Sequence, residues 1–396
     1  MRILLLVDCY LPSTKSSAAL MHDLATELAV LGHVPVVVAP EEADLLSCRE
    51  GVEQGIRVLR IGTGKIKTAS KTVRALNELR LSATLWHRGR RFFEGHAFDA
   101  IIYYSPTIFL GSLVARLKEL YGCRAYLILR DIFPQWAVDA GVMRKGVAYR
   151  FFKAMELRNY SAADIIGVQS PANLEYFQTQ QMRGSPHLEV LYNWMRVRAD
   201  APPGGGFRQS LQLDSRVVFF YGGNIGVAQD MDNILRLAQA LRDERSAAFL
   251  LVGEGSEFAR VKTQVSDMGL SNMIVLPAVD QQTYLSMVAD ADVGLISLDR
   301  RLRTHNFPGK MLSYMHEAKP ILASINPGND LKAVLEEHEA GFVCLNGEDK
   351  ALEVHARRLV RDLELRGRLG HNGRKLLEAT FSANRAATQI VGKFSH

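Results

Sequence analysis

Three short segments in the second half of the chain place glycine and polar residues directly after a hydrophobic run. The first is Gly222-Gly223-Asn224-Ile225-Gly226, which follows the run 217–221. Glycines at a turn from strand to helix let backbone amides approach a phosphate, so Gly222, Gly223 and Asn224 are candidates for a phosphate-binding turn. The same glycines could simply allow a tight turn, and this segment alone does not decide between the two.

The other two segments are Val252-Gly253-Glu254-Gly255 and Leu276-Pro277-Ala278-Val279. Glu254 stands just past a predicted strand, where its carboxylate could reach a ribose hydroxyl, although a surface turn explains it equally well. The backbone at Ala278 and Val279 could contact the edge of a base. Together the three segments predict a site for a nucleotide.

A diphosphate that leaves during a reaction needs a cation, and the sequence has no acidic motif typical of a magnesium site. Lys310, which follows Gly309 at the predicted start of a helix, is the best candidate. Arg300, Arg301 and Arg303 in the preceding loop could supply further charge or could be solvated. We therefore expect no metal and no cofactor other than the nucleotide substrate.

In the first half of the chain, Asp131 follows the predicted strand 125–129. A carboxylate at the end of a strand could orient or deprotonate a hydroxyl group of a second substrate. It could equally cap the helix that begins after Pro134.

Strand-like hydrophobic runs alternate with helical patterns along the chain, which is typical of doubly wound parallel sheets. Two such series flank the linker Pro202-Pro203-Gly204-Gly205-Gly206. We predict an N-terminal domain over 1–197 and a C-terminal domain over 198–377, with a last helix near 378–396 packing back on the first domain. The predicted strands are 3–7, 34–38, 56–61, 100–104, 125–129, 165–168 and 189–191, then 217–221, 248–252, 274–276, 293–296, 320–323 and 341–343.

The order and spacing of these segments resemble the donor domain of family 4 retaining glycosyltransferases. That family's pattern runs YxGxxG, LVGxGxE, LPxV and ADVGLxxL, and it matches residues 221–226, 252–255, 277–279 and 291–295 here. Residues 307–315 stand in the place of the family's helix for the donor diphosphate. Leu191-Tyr192-Asn193-Trp194 is similar to its junction between domains.

The resemblance implies a GT-B fold, in which two Rossmann-like domains face each other across a cleft. It also implies sugar transfer with retention from a nucleotide sugar, most simply a UDP-sugar, to a polyprenyl-diphosphate-linked or oligosaccharide acceptor during synthesis of a surface polysaccharide such as lipopolysaccharide, O-antigen or capsule. Arg130-Asp131-Ile132-Phe133-Pro134 and the pattern PGKxxSYM resemble a subgroup that includes N-acetyl-L-fucosamine transferases.

The chain departs from the family pattern at two positions of the donor site. Where the family commonly has two glutamates eight positions apart, this chain has His305 and Ser313. His305 could contact the donor sugar. Because of this departure, a catalytically silent partner of another transferase stays open as an alternative. A GT-B epimerase that acts on a UDP-sugar through carboxylates and histidines in the cleft is a second one.

Composition and charge suggest where the protein works. Four distant cysteines without a metal-binding spacing favour a reducing compartment, and the short apolar start 3–7 favours a buried strand over a signal peptide, so we expect a cytoplasmic protein. The formal net charge is +6, and nine Lys or Arg lie between residues 60 and 95. No nucleic-acid-binding motif accompanies them, and a solvated helix face would account for them as well.

The segment 73–93 gives a more specific hypothesis about a membrane. Apolar residues recur at helical spacing among five arginines, and Trp86, Phe92 and Phe93 lie among them. Such a helix could contact anionic headgroups at the inner face of the plasma membrane, with its aromatic side chains in the interface. Packing of the same residues in the protein core is the alternative.

Overall fold

The structure is a computed structural model that describes residues 1–13, 15–42, 47–66, 71–139, 141, 143–178, 185–198, 206–302 and 307–394. Of the side chains in these ranges, those of 71–76, 139 and 178 are not described. The chain forms two compact units, Met1–Arg196 with Ala383–His396 and Val197–Ser382.

The N-terminal unit contains an eight-stranded sheet in the order β3-β4-β2-β1-β5-β6-β7-β8. All strands are parallel except β3, which pairs antiparallel with β4. The strands are β1 Arg2–Leu6, β2 Val34–Glu41, β3 Cys48–Glu53, β4 Ile56–Gly62, β5 Ala100–Ser105, β6 Arg124–Leu129, β7 Ile165–Val168 and β8 His187–Val190.

Helices cover both faces of the central strands of this sheet, which is why those strands, unlike the edge strand β3, are apolar on both sides. Leu4 and Leu6 of β1 point into one core together with residues of the helices after β4 and β5, while Ile3 and Leu5 point into the other core with the first and last helices. The helices of this unit are α1 Ser16–Val30, α2 Lys71–Glu94, α3 Gly111–Tyr121, α4 Gln135–Asp139, α5 Val147–Ser161, α6 Pro171–Gln178 and α15 Ala383–Gly392.

The C-terminal unit contains a six-stranded sheet in the order β11-β10-β9-β12-β13-β14, and all of its pairings are parallel. Its strands are β9 Val217–Asn224, β10 Ala247–Glu254, β11 Met273–Pro277, β12 Val293–Ser297, β13 Ile321–Ile325 and β14 Gly341–Leu345. Its helices are α7 Phe207–Ser210, α8 Met231–Ala240, α9 Phe258–Asp267, α10 Gln281–Asp290, α11 Lys310–His316, α12 Leu331–Glu337, α13 Asp349–Arg361 and α14 Leu363–Thr380.

The chain passes back to the N-terminal unit between Ser382 and Ala383, a few residues later than the 378 suggested by the sequence. Phe381 is fully buried, and its ring lies 5.9 Å from the ring of Phe307 of the C-terminal unit. This contact keeps the end of α14 in that unit. Of the linker around Pro202 and Pro203, residues 202–205 lie outside the described residues.

Helix α2 corrects the hypothesis of aromatic side chains in a membrane interface. Trp86, Phe92 and Phe93 are all buried in the core of the N-terminal unit, and the rings of Trp86 and Phe93 stack 6.0 Å apart. On the outer side, Arg90 forms an ion pair with Glu94 at 2.7 Å. The alternative of core packing is therefore confirmed for these three aromatic residues.

A second part of the same basic segment also has a structural role. Arg60 is buried and forms an ion pair with Glu53 at 2.7 Å, and Arg88 donates a hydrogen bond to the carbonyl of Gly62. Across the described residues, we find no helix with the length and hydropathy that crossing a bilayer requires.

Candidate active site

The order of the C-terminal sheet predicts where a ligand binds. The chain builds β9, β10 and β11 outward in one direction and then returns to β12 on the other side of β9. In open parallel sheets, ligands occupy the crevice at the carboxyl ends of the two strands where the direction reverses. Those ends are Gly222-Gly223-Asn224 of β9 and the residues after Ser297 of β12.

Gly222 and Gly223 at the end of β9 are each needed as glycine, for different physical reasons. A side chain at Gly222 would overlap the ring of Tyr284, so packing requires glycine at this position. The backbone N–H of Gly222 donates to the hydroxyl of Tyr314 at 3.3 Å. Gly223 has φ +110°, which other residues rarely adopt, and the nearest atoms to a side chain there are Cε and Nζ of Lys310 at 3.9 and 4.0 Å. The backbone of Gly223 therefore lies open toward Lys310.

Lys310, the first residue of α11, places its ammonium over the face of Tyr221, 3.3 Å from the ring centroid. Burial lowers the pKa of Lys310 well below its usual range. Among the described side chains, no carboxylate forms an ion pair with it. A half-buried cation without a counter-charge, beside an open glycine backbone, is suited to bind an anion.

The arginines before α11 differ from Lys310 because each of the two that are described has a partner. Arg301 forms an ion pair with Asp299 at 2.5 Å, and this guanidinium lowers the pKa of Asp299. Arg300 donates to the carbonyl of Asn346 at 3.3 Å. Arg303 and His305, both predicted site residues, lie outside the described residues.

A polar network that the sequence did not indicate connects the loop after β9 with the ends of β12 and β14. Asn346, just after β14, donates to the carboxylate of Asp230 and to the carbonyl of Leu298, both at 2.8 Å. Ser297, at the end of β12, donates to the carbonyl of Asp230 at 3.1 Å and accepts from Asn233. Polar residues at the ends of two apolar strands were the signal that could have revealed this network.

The three segments predicted to bind the nucleotide end on adjacent strands. Gly223, Gly253 and Pro277 are in register across β9, β10 and β11. Asn224, Glu254 and Ala278 each follow one of these residues and are exposed, so they lie along the same edge of the sheet. The amide of Asn224 already donates to Gln229 at 2.8 Å.

The remaining predicted residues of this unit lie around α11. Ser313 is buried, and its hydroxyl hydrogen-bonds to Tyr284, whose pKa burial raises to about 12. Gly309 is exposed, and nothing lies within 4 Å of where its side chain would be. Val279 is half-buried. Ser313 therefore supports the packing around Gly222, whereas Gly309 leaves space at the start of α11.

In the N-terminal unit the same rule of sheet topology points to the end of β1 and β5, beside β6. Asp131 follows β6, and burial raises the pKa of its carboxyl group, while Arg130 lowers it and Asp8 raises it further. All three groups act electrostatically on the buried hydroxyl of Tyr104. Asp131 thus shares this edge of the sheet with a second carboxylate and a tyrosine.

Arg130 has a structural role that the sequence did not indicate. It is buried, it donates to the carbonyls of Leu191 and Tyr192 at 2.8 and 3.2 Å, and its guanidinium lies 5.0 Å from the ring centroid of Trp194. It therefore anchors the segment that leads out of the N-terminal unit. Among the described residues, no cluster of three or more His, Cys, Asp or Glu is placed to hold a metal ion.

Two family models match the chain in succession. Residues 17–194 match the glycosyl transferase 4-like domain, and residues 207–376 match glycosyl transferases group 1. The chain belongs to the families that these two models describe.

Named relatives agree with this membership. The glycosyltransferase is 28% identical to the probable glycosyltransferase WbjE of Pseudomonas aeruginosa over 60% of each chain. It is 25% identical to the putative colanic acid biosynthesis glycosyl transferase WcaI of Escherichia coli K12 over 63% of each chain. The match thus spans about three fifths of the length of these two curated relatives.

The fold is also that of solved structures. Anabaena Alr3699/HepE, determined in complex with UDP, superposes with a TM-score of 0.68 over all of both chains at 16% identity. At that identity the likeness is one of fold, and it confirms the predicted GT-B architecture of two parallel-sheet domains.

Proposed function

We propose that this glycosyltransferase moves a sugar, with retention, from a UDP-sugar to a lipid-linked or saccharide acceptor in the synthesis of a surface polysaccharide. The observation that carries the proposal is the ammonium of Lys310, which lies beside the open backbone of Gly223 without a carboxylate partner among the described residues. The name of WcaI, which refers to colanic acid biosynthesis, supports the polysaccharide context, and the UDP complex of HepE supports the choice of nucleotide.

In this proposal, the C-terminal unit binds the donor. Gly222, Gly223 and Lys310 stabilise the diphosphate as negative charge develops on its leaving oxygen. Farther along the same edge of the sheet, Glu254 contacts the ribose and the backbone at Ala278 and Val279 contacts the base. Arg301 contributes less than Lys310 because Asp299 already balances its charge.

The reaction breaks the bond between the sugar carbon and the diphosphate oxygen and forms one to the acceptor oxygen on the same face. The proton of the acceptor hydroxyl passes to the leaving diphosphate. Lys310 supplies the positive charge that a metal ion would otherwise supply there, so the proposed reaction uses neither a metal ion nor a cofactor. Asp131 of the N-terminal unit orients the acceptor hydroxyl, and His305 contacts the donor sugar. We place the enzyme at the cytoplasmic face of the plasma membrane, where a polyprenyl-diphosphate-linked acceptor is available.

Thermal unfolding of the full chain with UDP, GDP and TDP tests the donor site. UDP at a hundredfold excess over its dissociation constant should stabilise the protein by about 2.7 kcal/mol. The gain should disappear in Lys310→Ala. It should persist in the control Lys319→Ala, because Lys319 donates to the carbonyl of Ala289 at 2.6 Å and has a structural role.

Incubation with radiolabelled UDP-sugars and a lipid extract then tests the reaction. Transfer of label to lipid or saccharide is expected. Release of an epimerised UDP-sugar would show an epimerase instead, and a protein that binds no nucleotide and transfers nothing would be a silent partner.

A further inference from the structure

One exposed surface of the N-terminal unit combines apolar side chains from α4 and α5. Trp136, Val147 and Phe151 are 40%, 81% and 37% exposed. The ring of Phe133 lies 6.1 Å from that of Trp136 and 5.1 Å from that of Phe152, which in turn lies 5.3 Å from Phe151. The aromatic residues are therefore contiguous, and we call this region the α4–α5 surface.

Basic residues outnumber acidic ones around the α4–α5 surface, where Asp139 ends α4 and Glu156 lies in α5. Between residues 140 and 155 the sequence contains Arg144, Lys145, Arg150 and Lys153 and no Asp or Glu. Lys153 forms an ion pair with Glu156 at 2.6 Å. The other three are exposed, and the described residues provide no carboxylate within ion-pair distance of them. Three cations thus border an apolar surface.

The position of these cations does not stabilise helix α5. The helix begins at Val147, has no acidic residue in its first turn, carries Arg150 there, and is separated from Arg144 and Lys145 only by Gly146. The first turn of a helix carries a partial positive charge, so cations there destabilise it by a few tenths of a kcal/mol or more. Helix stability therefore does not explain the charge, whereas an anionic partner would.

The exposed positions of α5 also form one stripe. Val147, Arg150, Phe151, Ala154 and Arg158 are exposed and recur at the spacing of one helix face. This stripe has the composition that suits a bilayer interface, with apolar and basic residues and no acid. Helix α2 lacks this property because its aromatic residues are buried.

We propose that the α4–α5 surface docks the enzyme on an anionic lipid bilayer. The inference rests on the proposed function insofar as that function places a lipid-linked acceptor at the membrane. Trp136 and Phe151 enter the interface between headgroups and acyl chains, and Arg144, Lys145 and Arg150 contact the phosphates of the headgroups. Docking through this surface brings the N-terminal unit, which carries Asp131, to the membrane that contains the acceptor.

Two charge-reversal variants of equal size test the location. The full chain is sedimented with vesicles of phosphatidylcholine alone or mixed with phosphatidylglycerol, at low and high salt. Each basic residue near an anionic surface contributes about a fivefold factor, so R144E with R150E should weaken binding by about 25-fold or more. The control R80E with R91E changes two exposed arginines of α2 and should bind like wild type. Equal loss in both variants, or loss in the control alone, would overturn the assignment.

Tryptophan fluorescence gives a second, direct measurement. The chain has three tryptophans, of which Trp86 and Trp194 are buried and Trp136 is exposed. Vesicles with phosphatidylglycerol should shift the emission to the blue, and brominated lipids should quench it. Trp136→Phe should abolish both effects while the protein still sediments with vesicles. Emission that is insensitive to vesicles, or binding to neutral vesicles as strong as to anionic ones, would overturn the proposal.

Stabilisation by UDP, measured on the same variants, separates the two proposals. R144E with R150E should keep the full stabilisation, because the donor site lies in the other unit. A protein that binds anionic vesicles but no nucleotide would contradict the proposed function and leave the docking surface supported, and the reverse result would contradict only the docking surface.

Discussion

Lys310 and Arg130 are both cations packed against an aromatic ring at the carboxyl end of a parallel sheet. They differ in their hydrogen-bond partners. The guanidinium of Arg130 donates to two backbone carbonyls, of Leu191 and Tyr192. The ammonium of Lys310 lies over Tyr221 and beside Gly223, with no carboxylate partner among the described side chains. Burial lowers the pKa of both, that of Arg130 to about 10.

The difference separates a structural cation from one that is available to a ligand. Two backbone carbonyls already accept hydrogen bonds from Arg130, so removing it leaves these acceptors without a donor and destabilises the fold. Among the described groups, removing Lys310 leaves no hydrogen-bond acceptor without its donor. We therefore expect its charge to stabilise the protein only when an anion is bound. Lys310 and Arg130 are both basic and lie at similar positions relative to their sheets. Their hydrogen-bond partners distinguish the structural role of Arg130 from the proposed binding role of Lys310.

The largest expected effect is on stability, in Arg130→Ala. One buried and one partly buried carbonyl lose a charged donor at a cost of about 1–3 kcal/mol each, so the free energy of unfolding should fall by about 3 kcal/mol. Urea unfolding of the full chain measures this. Stabilisation by UDP should remain at temperatures where the variant is folded. A variant as stable as wild type would show that Arg130 does not anchor the segment at Leu191 and Tyr192.

Lys310→Ala should show the opposite pattern. Its turnover, measured as release of UDP from the accepted donor, should fall by about a hundredfold, as for loss of a preorganised charge at a developing anion. Its free energy of unfolding should stay the same or rise, because a desolvated cation without a partner costs stability rather than contributing to it. Lys319→Ala is the control: it should be destabilised with nearly normal turnover. Normal turnover in Lys310→Ala would show that this residue does not stabilise the diphosphate.

The dependence on pH sharpens the comparison further. Because the pKa of Lys310 is lowered, the residue loses its charge as the pH rises through a value below the usual lysine pKa of about 10.4. Above that lowered pKa, UDP affinity should fall by up to about tenfold per pH unit. Lys310→Arg should bind UDP without this decline. Calorimetric titration over the alkaline range measures both, and an equal decline in the two proteins would contradict the assignment.

The stability of the free protein should change in the other direction. A lysine with a lowered pKa in the folded state binds fewer protons than in the unfolded state, so its contribution to stability rises with pH from the lowered pKa to about 10.4. Lys310→Met should lack this increase.

Much of the fold was predictable because parallel strands covered on both faces form continuous hydrophobic runs. All thirteen predicted strands are present, with ends that differ by a few residues. The strand that was missed, β3, is a polar edge strand that pairs antiparallel with β4 through a turn at Gln54-Gly55. Because its side chains are exposed, it has no hydrophobic pattern to reveal it.

The candidate site was predictable in position and less so in role. Gly222, Gly223 and Lys310 come together at the reversal point of the sheet, as their positions after strands and before a helix suggested. The ion pair of Arg301 with Asp299 and the hydrogen bond of Ser313 with Tyr284 could not be inferred from the sequence, because residue type does not reveal which neighbour binds a polar group. The aromatic residues of α2 and the exposed Trp136 show the same limit.

By itself, the sequence determined the alternation of strands and helices, the two series of parallel strands and the order of motifs that identifies the family, since these depend on local periodicity and spacing. Only the tertiary structure decided which charges are already paired, which aromatic side chains are buried and which cation has no carboxylate partner among the described residues. Those properties depend on distances between residues far apart in the chain, such as Arg130 and Leu191 or Tyr221 and Lys310, and folding alone sets those distances.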